Sequence, residues 1–441
     1  MTAGRFGLIL SILLFTTVTL PVPGWSEVQY IDIKNPFIRK IPIAVPVFRL
    51  GAASLADDGL AREGADLLSD SLDFTGYFKI LHRDSFLIGS EGLGIITPNI
   101  NFRNWTAIGA ELLITCGLTV VGDVVEMELR LFDTVKGRML VGKRYKSLRP
   151  DLRRMIHKFC GEVIFYLTGH RGIFGSEVAF VSNGTGNNEV YTAEFDGHNP
   201  RQFTHTGNIT LSPGWSSDAQ WIAYTAFPRG NPGLYIKHRR EKRGAVFSKK
   251  GVKLDPAWVP GQFQLAATLS YQGDPEIYLL TGTGKIIKRL TYNRGIDVSP
   301  TWSPDGRRLA YVSKQSGTPQ IYIRDRTTGQ SSRLTFQGKY NQQPDWSPTG
   351  EKIVYTGMEK GRINIYVINV DGTGLMQLTY NSGDNESPSW SPDGSMIAFS
   401  STREGPSRIY VMTAYGTDQR RLLALPGEQK TPDWSPRAVS Y

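Results

Sequence analysis

The C-terminal part of the chain alternates short apolar segments with turn-forming residues, and this pattern recurs at a fixed distance. Tryptophans at positions 215, 258, 302, 346, 390 and 434 are 43, 44, 44, 44 and 44 residues apart. Each period, for example 308–350, contains apolar stretches of strand length separated by Gly, Asn and Pro turns, without the spacing of an amphipathic helix. Four short strands in a repeated unit are typical of a β-propeller blade. We therefore expect an all-β six-bladed propeller over residues 171–441.

The stretch PTWSPDG, residues 300–306, recurs as PDWSPTG at 344–350 and PSWSPDG at 388–394. Pro304 favours the first central position of a tight turn, and Gly306 supplies the permissive backbone that ends it. Trp302 precedes that turn on the strand that we interpret as innermost, where one large ring per blade would fill the wedge between adjacent sheets. The recurring stretch is therefore interpreted as scaffold and not as a chemical site.

The two ends of the repeat region predict how the ring closes. The first unit starts at Glu177 without a preceding tryptophan, whereas Trp434 is followed by only seven residues. We expect the C-terminal PDWSP strand to become the innermost strand of the blade that begins at Glu177. Such an arrangement would leave no open sheet edge in the ring.

Residues 27–170 show mixed periodicities and predict a separate α/β domain. The alternation over 41–50 predicts a strand, and 54–72 predicts a helix with Ser54 as its N-cap. A hairpin is predicted to turn at Gly122 and Asp123, with apolar side chains on one face of its second strand. Residues 151–169 predict an amphipathic helix that Gly169 ends. His157 in that helix is interpreted as a surface or boundary residue and not as a metal ligand.

The first 26 residues have the features of a signal peptide. Arg5 precedes the apolar run FGLILSILLFTTVTL, and small residues follow at Gly24 and Ser26, after which we expect cleavage. The alternative is a retained membrane anchor, although the apolar run is short for a bilayer span. We expect an exported protein.

The formal net charge of +10 raises the question of an acidic partner. Export argues against nucleic acid, and the basic run 237–253 lies within a repeat, where a solvated outer strand explains it. Contact of this run with anionic lipid, cell wall or an acidic partner is the alternative.

The chain has two cysteines, Cys116 and Cys160, which are too few for a disulfide scaffold. We expect buried free thiols, and a single disulfide bridge between them is left open.

The sequence offers little support for catalysis. It contains no G-x-S-x-G nucleophile elbow, and none of the six histidines lies beside a nucleophile-like motif. The aspartates of the SPDG turns are interpreted as acceptors of backbone hydrogen bonds. We expect a non-enzymatic binding protein without a cofactor, with a weak calcium site at the channel mouth left open.

The cassette WSPDG…IAF…IYVM resembles the propeller repeat of the TolB family. Three segments of the N-terminal domain also resemble TolB in order and spacing: FTGYFKIL (74–81), NWTAIGAELLITC (104–116) and residues 152–182. The resemblance implies a periplasmic adaptor of the Tol-Pal system that binds the lipoprotein Pal at the propeller mouth and TolA through its mature N-terminus. It also implies roles in outer-membrane integrity and cell division, use of the same mouth by some bacteriocins, a monomeric state, and membrane association only through partners.

The resemblance implies contact residues as well. The arm that would bind TolA comprises Glu27, Val28, Gln29, Tyr30, Ile31 and Asp32. For Pal, we expect the loop before each Pro-x-Trp to face the mouth, which nominates Leu211, Asp255, Asp297, Val298, Asn341, Gln342, Asn385, Glu386 and Lys430. The alternative function is an exported propeller that binds carbohydrate or peptidoglycan, which would require aromatic side chains at the mouth.

Overall fold

The computed structural model describes residues 39–51, 58–87, 94–270 and 273–437. The predicted signal peptide, the predicted TolA-binding arm and the predicted N-cap Ser54 lie outside these residues. Within them, an N-terminal domain with a mixed sheet and helices precedes a propeller of six four-stranded sheets. The two-part fold expected from the sequence is confirmed.

The N-terminal sheet has the strand order β3-β1-β4-β5-β6, and β2 pairs with β4 outside this path. Its strands are β1 (Ile41–Ala44), β2 (Arg49–Leu50), β3 (Phe78–Ile80), β4 (Leu112–Val121), β5 (Val124–Asp133) and β6 (Arg138–Leu148); its helices are α1 (Asp58–Phe74), α2 (Phe102–Ala107) and α3 (Leu152–Thr168). The single strand predicted over 41–50 is wrong, because β1 ends before Pro46, which has no N–H for a ladder hydrogen bond. The hairpin at Gly122 and Asp123 is confirmed.

Helix α3 covers the sheet with its apolar face. Met155, Ile156, Phe159 and Val163 are buried in one core with the inward side chains of β5. The helix ends where the sequence predicts, because Gly169 adopts the left-handed conformation at φ +77° and its N–H donates to the Phe165 carbonyl at 2.9 Å.

The six blades follow the tryptophan repeat. From the innermost strand outward they are blade 1, β30 (Gln429–Trp434), β7 (Glu177–Ser182), β8 (Glu189–Glu194) and β9 (Arg201–Gln202); blade 2, β10 (Thr210–Trp215), β11 (Trp221–Ala226), β12 (Gly233–His238) and β13 (Gly244–Phe247); blade 3, β14 (Lys253–Trp258), β15 (Gln264–Leu269), β16 (Glu276–Thr281) and β17 (Ile286–Arg289); blade 4, β18 (Asp297–Trp302), β19 (Arg308–Ser313), β20 (Gln320–Asp325) and β21 (Ser331–Arg333); blade 5, β22 (Tyr340–Trp346), β23 (Lys352–Glu359), β24 (Arg362–Asn369) and β25 (Met376–Gln377); and blade 6, β26 (Asn385–Trp390), β27 (Met396–Ser401), β28 (Arg408–Thr413) and β29 (Arg420–Arg421). Every repeated tryptophan is the last residue of an innermost strand.

The C-terminal strand closes the ring as predicted. β30 pairs antiparallel with β7, so that Trp434 lies opposite Val178. Beyond the strand, the Ser435 N–H donates to the Glu177 carbonyl at 2.8 Å, and the Glu177 N–H donates to the Ser435 hydroxyl at 2.9 Å. Blade 1 is thus built from both ends of the propeller sequence.

Trp302 shows how the repeated tryptophan joins two blades. It is buried in a cluster with Val259 and Ile277 of blade 3 and Leu309 of its own blade. Its indole N–H donates to the carbonyl of Ala257 at 3.2 Å. The turn that follows is closed by the Gly306 N–H, which donates to the Ser303 carbonyl at 2.8 Å. The expected packing role of Trp302 and the tight turn at Gly306 are confirmed.

The N-terminal domain packs against the ends of blades 1 and 6 where the innermost strands finish. Its core continues into Phe195 and Trp434 of the propeller. Arg153 of α3 pairs with Glu194 at 2.8 Å and also with Asp196. His157 is buried at this junction with its ring 5.0 Å from that of Phe195, and burial lowers the pKa of His157 to about 4. This histidine is therefore a boundary residue.

The cysteines and the basic run occupy structural positions. Cys116 and Cys160 are buried free thiols, and burial raises the pKa of both.

The basic run 237–253 includes β13, which is the outermost strand of blade 2, and most of the run is exposed. Lys253 at its end is buried, and its ammonium donates to the carbonyls of Gly251 at 2.8 Å and Pro232 at 3.0 Å.

We expect Trp302→Ala to lower the free energy of unfolding by roughly 3–5 kcal/mol, because the truncation leaves a cavity between blades 3 and 4. Denaturant unfolding followed by circular dichroism measures the change. Val135→Ala is the control, since Val135 is 74% exposed. Equal stability of the two variants would contradict the wedge role of Trp302.

We expect a chain that ends at Gly427 to lose the folded propeller, because removal of β30 leaves β7 without its inner partner and opens the ring. A chain that ends at Arg437 retains β30 and serves as the control. Size-exclusion chromatography and circular dichroism distinguish the two chains, and a monomeric folded propeller in the shorter one would contradict the closure argument.

Candidate functional site

The innermost strands enclose a central channel with a volume of about 250 Å³. Its wall is formed by the second half of these strands, where a proline is followed two residues later by the tryptophan. The prolines at 213, 256, 300, 344, 388 and 432 all line it. A rigid wall follows, because proline fixes its own φ and restricts the preceding residue.

Each innermost strand carries a bulge immediately before its proline. The residue at this position has a positive φ, between 47° and 54°, in all six strands: Ser212, Asp255, Ser299, Gln343, Ser387 and Thr431. The pairing with the second strand shifts register across the same residues, as between Val298 and Thr301. Non-glycine residues adopt this conformation only at an energetic cost, and such strain is often found at functional sites.

Five of the six bulged residues are linked by hydrogen bonds in two groups, whereas the buried hydroxyl of Thr431 has no partner among the described residues. Asp255 accepts hydrogen bonds from the hydroxyl of Ser212 at 2.8 Å and from that of Ser299 at 2.9 Å. On the next blades, the Gln343 side-chain oxygen accepts from the Ser387 N–H at 2.9 Å. The bulge positions therefore form a polar ring, which we call the bulge ring.

A second set of polar side chains lies closer to the tryptophans. The Asp345 carboxylate accepts from the Trp390 N–H at 2.7 Å, and the Asp433 carboxylate accepts from the Trp215 N–H at 2.7 Å. Ser389 accepts from the Trp434 N–H at 2.9 Å in the same way. Each of these residues precedes a tryptophan and holds the innermost strand of the next blade.

The two carboxyl groups of this set have raised pKa values. Burial raises the pKa of Asp345 to about 6 and that of Asp433 to about 8, and the charge of Asp345 further raises the pKa of Asp433. The hydrogen bonds from the tryptophan N–H groups oppose both shifts. Negative charge in the channel is therefore unfavourable for the folded protein.

The nominated mouth residues lie on strands, so the prediction that they lie in loops is wrong. Pro-x-Trp ends each innermost strand and does not open it, because the strand continues through the bulge. The residue before the bulge is at the mouth end of the strand. Gln342 and Lys430 are exposed there, and Leu211, Val298 and Glu386 are partly buried.

Three other nominated residues are buried within the blades and do not present their side chains at the mouth. The Asn341 side chain donates to Gln320 at 2.8 Å, and Asp297 accepts from Asn293 at 2.8 Å. Asn385 is also fully buried. These residues begin the innermost strands, where an inward side chain satisfies polar groups of the preceding blade.

Asp255 is the nominated residue that lines the channel itself. The sequence interpretation missed the other bulge-ring residues, although each is the polar residue directly before a repeated proline. A period-two pattern does not reveal a bulge, since the extra residue reverses which side chains face inward.

In the described ranges, no three His, Cys, Asp or Glu side chains are grouped so that they could hold a metal ion. A calcium site at the mouth stays an untested prediction.

Among the helices that the structure describes, none is both long and apolar enough to cross a membrane.

Two family models match this chain, one for each of its two domains. The model of the TolB amino-terminal domain matches residues 29–140, and that of the TolB beta propeller domain matches residues 165–438. The chain belongs to the TolB family. The resemblance inferred from the repeat and from the N-terminal segments is confirmed.

Two curated relatives and one solved structure illustrate the likeness. The Tol-Pal system protein TolB of Desulfosudis oleivorans is 54% identical over 274 residues, which are 62% of this chain and 63% of that protein. The TolB homolog of Chlorobium chlorochromatii is 42% identical over 271 residues, 60% of this chain and 59% of that protein. These matches span about three-fifths of either relative. The crystal structure of TolB from Acinetobacter baumannii is 26% identical, has a TM-score of 0.80, and the match covers 90% of this chain and 97% of that one.

We expect Asp433→Asn to stabilise the protein above neutral pH. Because the folded pKa of Asp433 is raised to about 8, its favourable contribution is complete below the unfolded pKa near 3.8 and is lost as pH rises through about 8. The variant should gain about 1–3 kcal/mol over the wild type at about pH 9 and little at about pH 4. Urea unfolding at both pH values measures this gain.

Asp305→Asn is the matched control for this prediction. The Ser303 hydroxyl and the Arg307 N–H lower the pKa of Asp305, so this substitution should destabilise the protein at neutral pH. A constant difference between Asp433→Asn and the wild type across the pH range would contradict the argument for Asp433.

Proposed function

We propose that this chain is a non-enzymatic periplasmic adaptor of the Tol-Pal system. In this proposal the propeller binds Pal at the channel mouth, and the mature N-terminus binds TolA. The protein thereby supports outer-membrane integrity and cell division, and bacteriocins are potential users of the same mouth. Membership of the TolB family, with relatives named Tol-Pal system proteins, supports this assignment.

The observation that carries the proposal is the separation of two ends of the propeller. All six innermost strands begin at the mouth and end at the tryptophan turns. The N-terminal domain contacts the tryptophan end, where Lys40 pairs with Asp418 at 2.8 Å and the Arg420 guanidinium lies 4.2 Å from the Phe74 ring centroid. The described residues of the N-terminal domain thus lie on the opposite side from the mouth and leave it open to a partner.

The channel chemistry favours recognition over catalysis. Asp255, Asp345 and Asp433 each accept hydrogen bonds from the wall of the ring, which supports a structural role for these carboxylates. Rigid walls with polar groups at defined positions favour the binding of a protein surface, because little ordering is needed on association.

The proposed TolA contact involves Glu27, Val28, Gln29, Tyr30, Ile31 and Asp32, which lie outside the described residues. Its support is the match of the TolB amino-terminal domain, which begins at residue 29. The periplasmic location rests on the predicted signal peptide.

One observation favours the alternative of a carbohydrate binder. Tyr292, Phe336 and Tyr380 are exposed on the mouth side, and exposed rings are suited to stacking on sugars. However, Arg289 and Arg333 already lie over the rings of Tyr292 and Phe336, each with its guanidinium 4.9 Å from the ring centroid. One ring face is thereby occupied at both positions, so we favour the protein partner.

We expect the mature chain to bind a soluble Pal domain from the same organism, and Gln342→Trp and Glu386→Arg to weaken this binding at least about tenfold. Both residues lie at the mouth ends of innermost strands. Isothermal titration calorimetry measures the affinity, with soluble peptidoglycan fragments as a second titrant.

Arg307→Glu is the control, because Arg307 is exposed at a tryptophan turn on the other side of the propeller. Pal binding that survives both mouth substitutions would place the partner elsewhere. Binding of peptidoglycan fragments but not of Pal would favour the carbohydrate alternative.

A further inference from the structure

The mouth side of the propeller is not uniform in charge. On blade 3 the loop between β15 and β16 carries one exposed carboxylate, Asp274, whereas the mouth-side loops 290–296, 314–319 and 334–339 contain no Asp or Glu. They carry Arg294, Lys314 and Lys339, and Lys250 lies in the adjoining loop before β14. All four side chains are exposed, and no carboxylate of the described ranges forms an ion pair with them.

Their position on the mouth side follows from the strand directions. Asp297 begins β18 at the mouth end and pairs with Ser313, the last residue of β19. Lys314, which follows Ser313, therefore lies at the mouth end as well. The segments with Arg294 and Lys339 lead directly into β18 and β22, so they reach the same side.

The other half of the mouth side carries both signs of charge. Its loops and strand ends on blades 5, 6 and 1 carry acidic residues at 359, 384, 386, 404 and 428. Several are paired within the chain: Arg421 lies 3.2 Å from Glu404, and Lys430 lies 2.8 Å from Glu428. Apart from Asp274, the charged residues in the mouth-side loops of blades 2 to 4 are thus all basic.

Two aromatic rings project among these basic side chains. Tyr292 and Phe336 occupy equivalent positions of successive repeats and are 68% and 73% exposed. Each ring lies against an arginine of its own blade, and Arg289 is itself held by the buried Glu276 at 2.6 Å. The rings are therefore held in place before any partner binds, which lowers the entropic cost of using them as anchors.

We propose that this part of the mouth binds an acidic surface of a protein partner, with Tyr292 and Phe336 as anchors inserted into it. We call it the basic–aromatic sector, and it comprises Lys250, Tyr292, Arg294, Lys314, Phe336 and Lys339. The inference rests on the proposed function and adds to it the chemistry that the partner must present. Tyr292, Phe336 and Arg294 are of residue types enriched at protein interfaces, and the positive charge of the sector accelerates association with an acidic partner.

A protein partner fits this sector better than an anionic membrane. The two rings are isolated from each other by polar loops, so the sector offers no continuous apolar face to insert between lipids.

The test compares three variants in binding to the soluble Pal domain by surface plasmon resonance, at about 50 mM and about 300 mM NaCl. Lys314→Glu/Lys339→Glu reverses two charges of the sector, and Phe336→Ala removes one ring without changing charge. Arg307→Glu/Lys242→Glu is the matched control, since it makes the same change of charge in exposed turns on the tryptophan side. Circular dichroism and the midpoint of thermal unfolding verify that all variants fold.

We expect the sector double variant to lower the association rate at least about tenfold at low salt and much less at high salt. Phe336→Ala should raise the dissociation rate about tenfold and leave the salt dependence unchanged. The control should remain within about twofold of the wild type in both rates.

The outcomes separate this inference from the proposed function. Pal binding that is unchanged in both sector variants overturns the sector but leaves the adaptor assignment in place. Failure of the wild type to bind Pal overturns the proposed function and, with it, this inference. Loss of binding to phosphatidylglycerol vesicles in the sector variants, with Pal binding intact, would identify lipid head groups as the occupant and overturn the protein partner.

Discussion

The contact between each tryptophan-bearing strand and the next blade holds the propeller together. Four short strands cannot bury both faces of their sheet alone, so every blade depends on its neighbours. The tryptophan ring fills the wedge between sheets, and a side chain such as Asp345 or Asp433 accepts the backbone N–H of the following tryptophan. Because β30 supplies the innermost strand of blade 1, this series of contacts returns to its starting point.

Closure of the ring permits local features that would be costly in an open sheet. All six innermost strands contain a residue with positive φ, and two buried carboxyl groups have raised pKa values. These features are retained because neighbouring blades fix the backbone on both sides. In return, the bulges turn a ring of polar side chains toward the channel, which is the chemical surface that a binding partner would meet.

The N-terminal domain and the mouth occupy opposite ends of one rigid scaffold. The domain contacts blade 1 through Arg153 and blade 6 through Lys40 and Phe74, which lie against Asp418 and Arg420. The two parts also share an apolar core. Burial of His157 in that core leaves little freedom for the junction to open without loss of packing.

The sequence by itself determined the number of blades, the closing strand, the hairpin and the last helix, because local periodicity, glycine and proline signals specify these elements directly. It also determined the family, through the repeat and three segments of the N-terminal domain. Only the tertiary structure decided which side chains face the channel. A bulge is defined by pairing with a second strand, so Ser299 and Gln343 enter the channel wall while Asp297 and Asn341 are buried. The basic–aromatic sector likewise exists only because loops of successive blades, between residues 250 and 339, lie on one face of the closed ring.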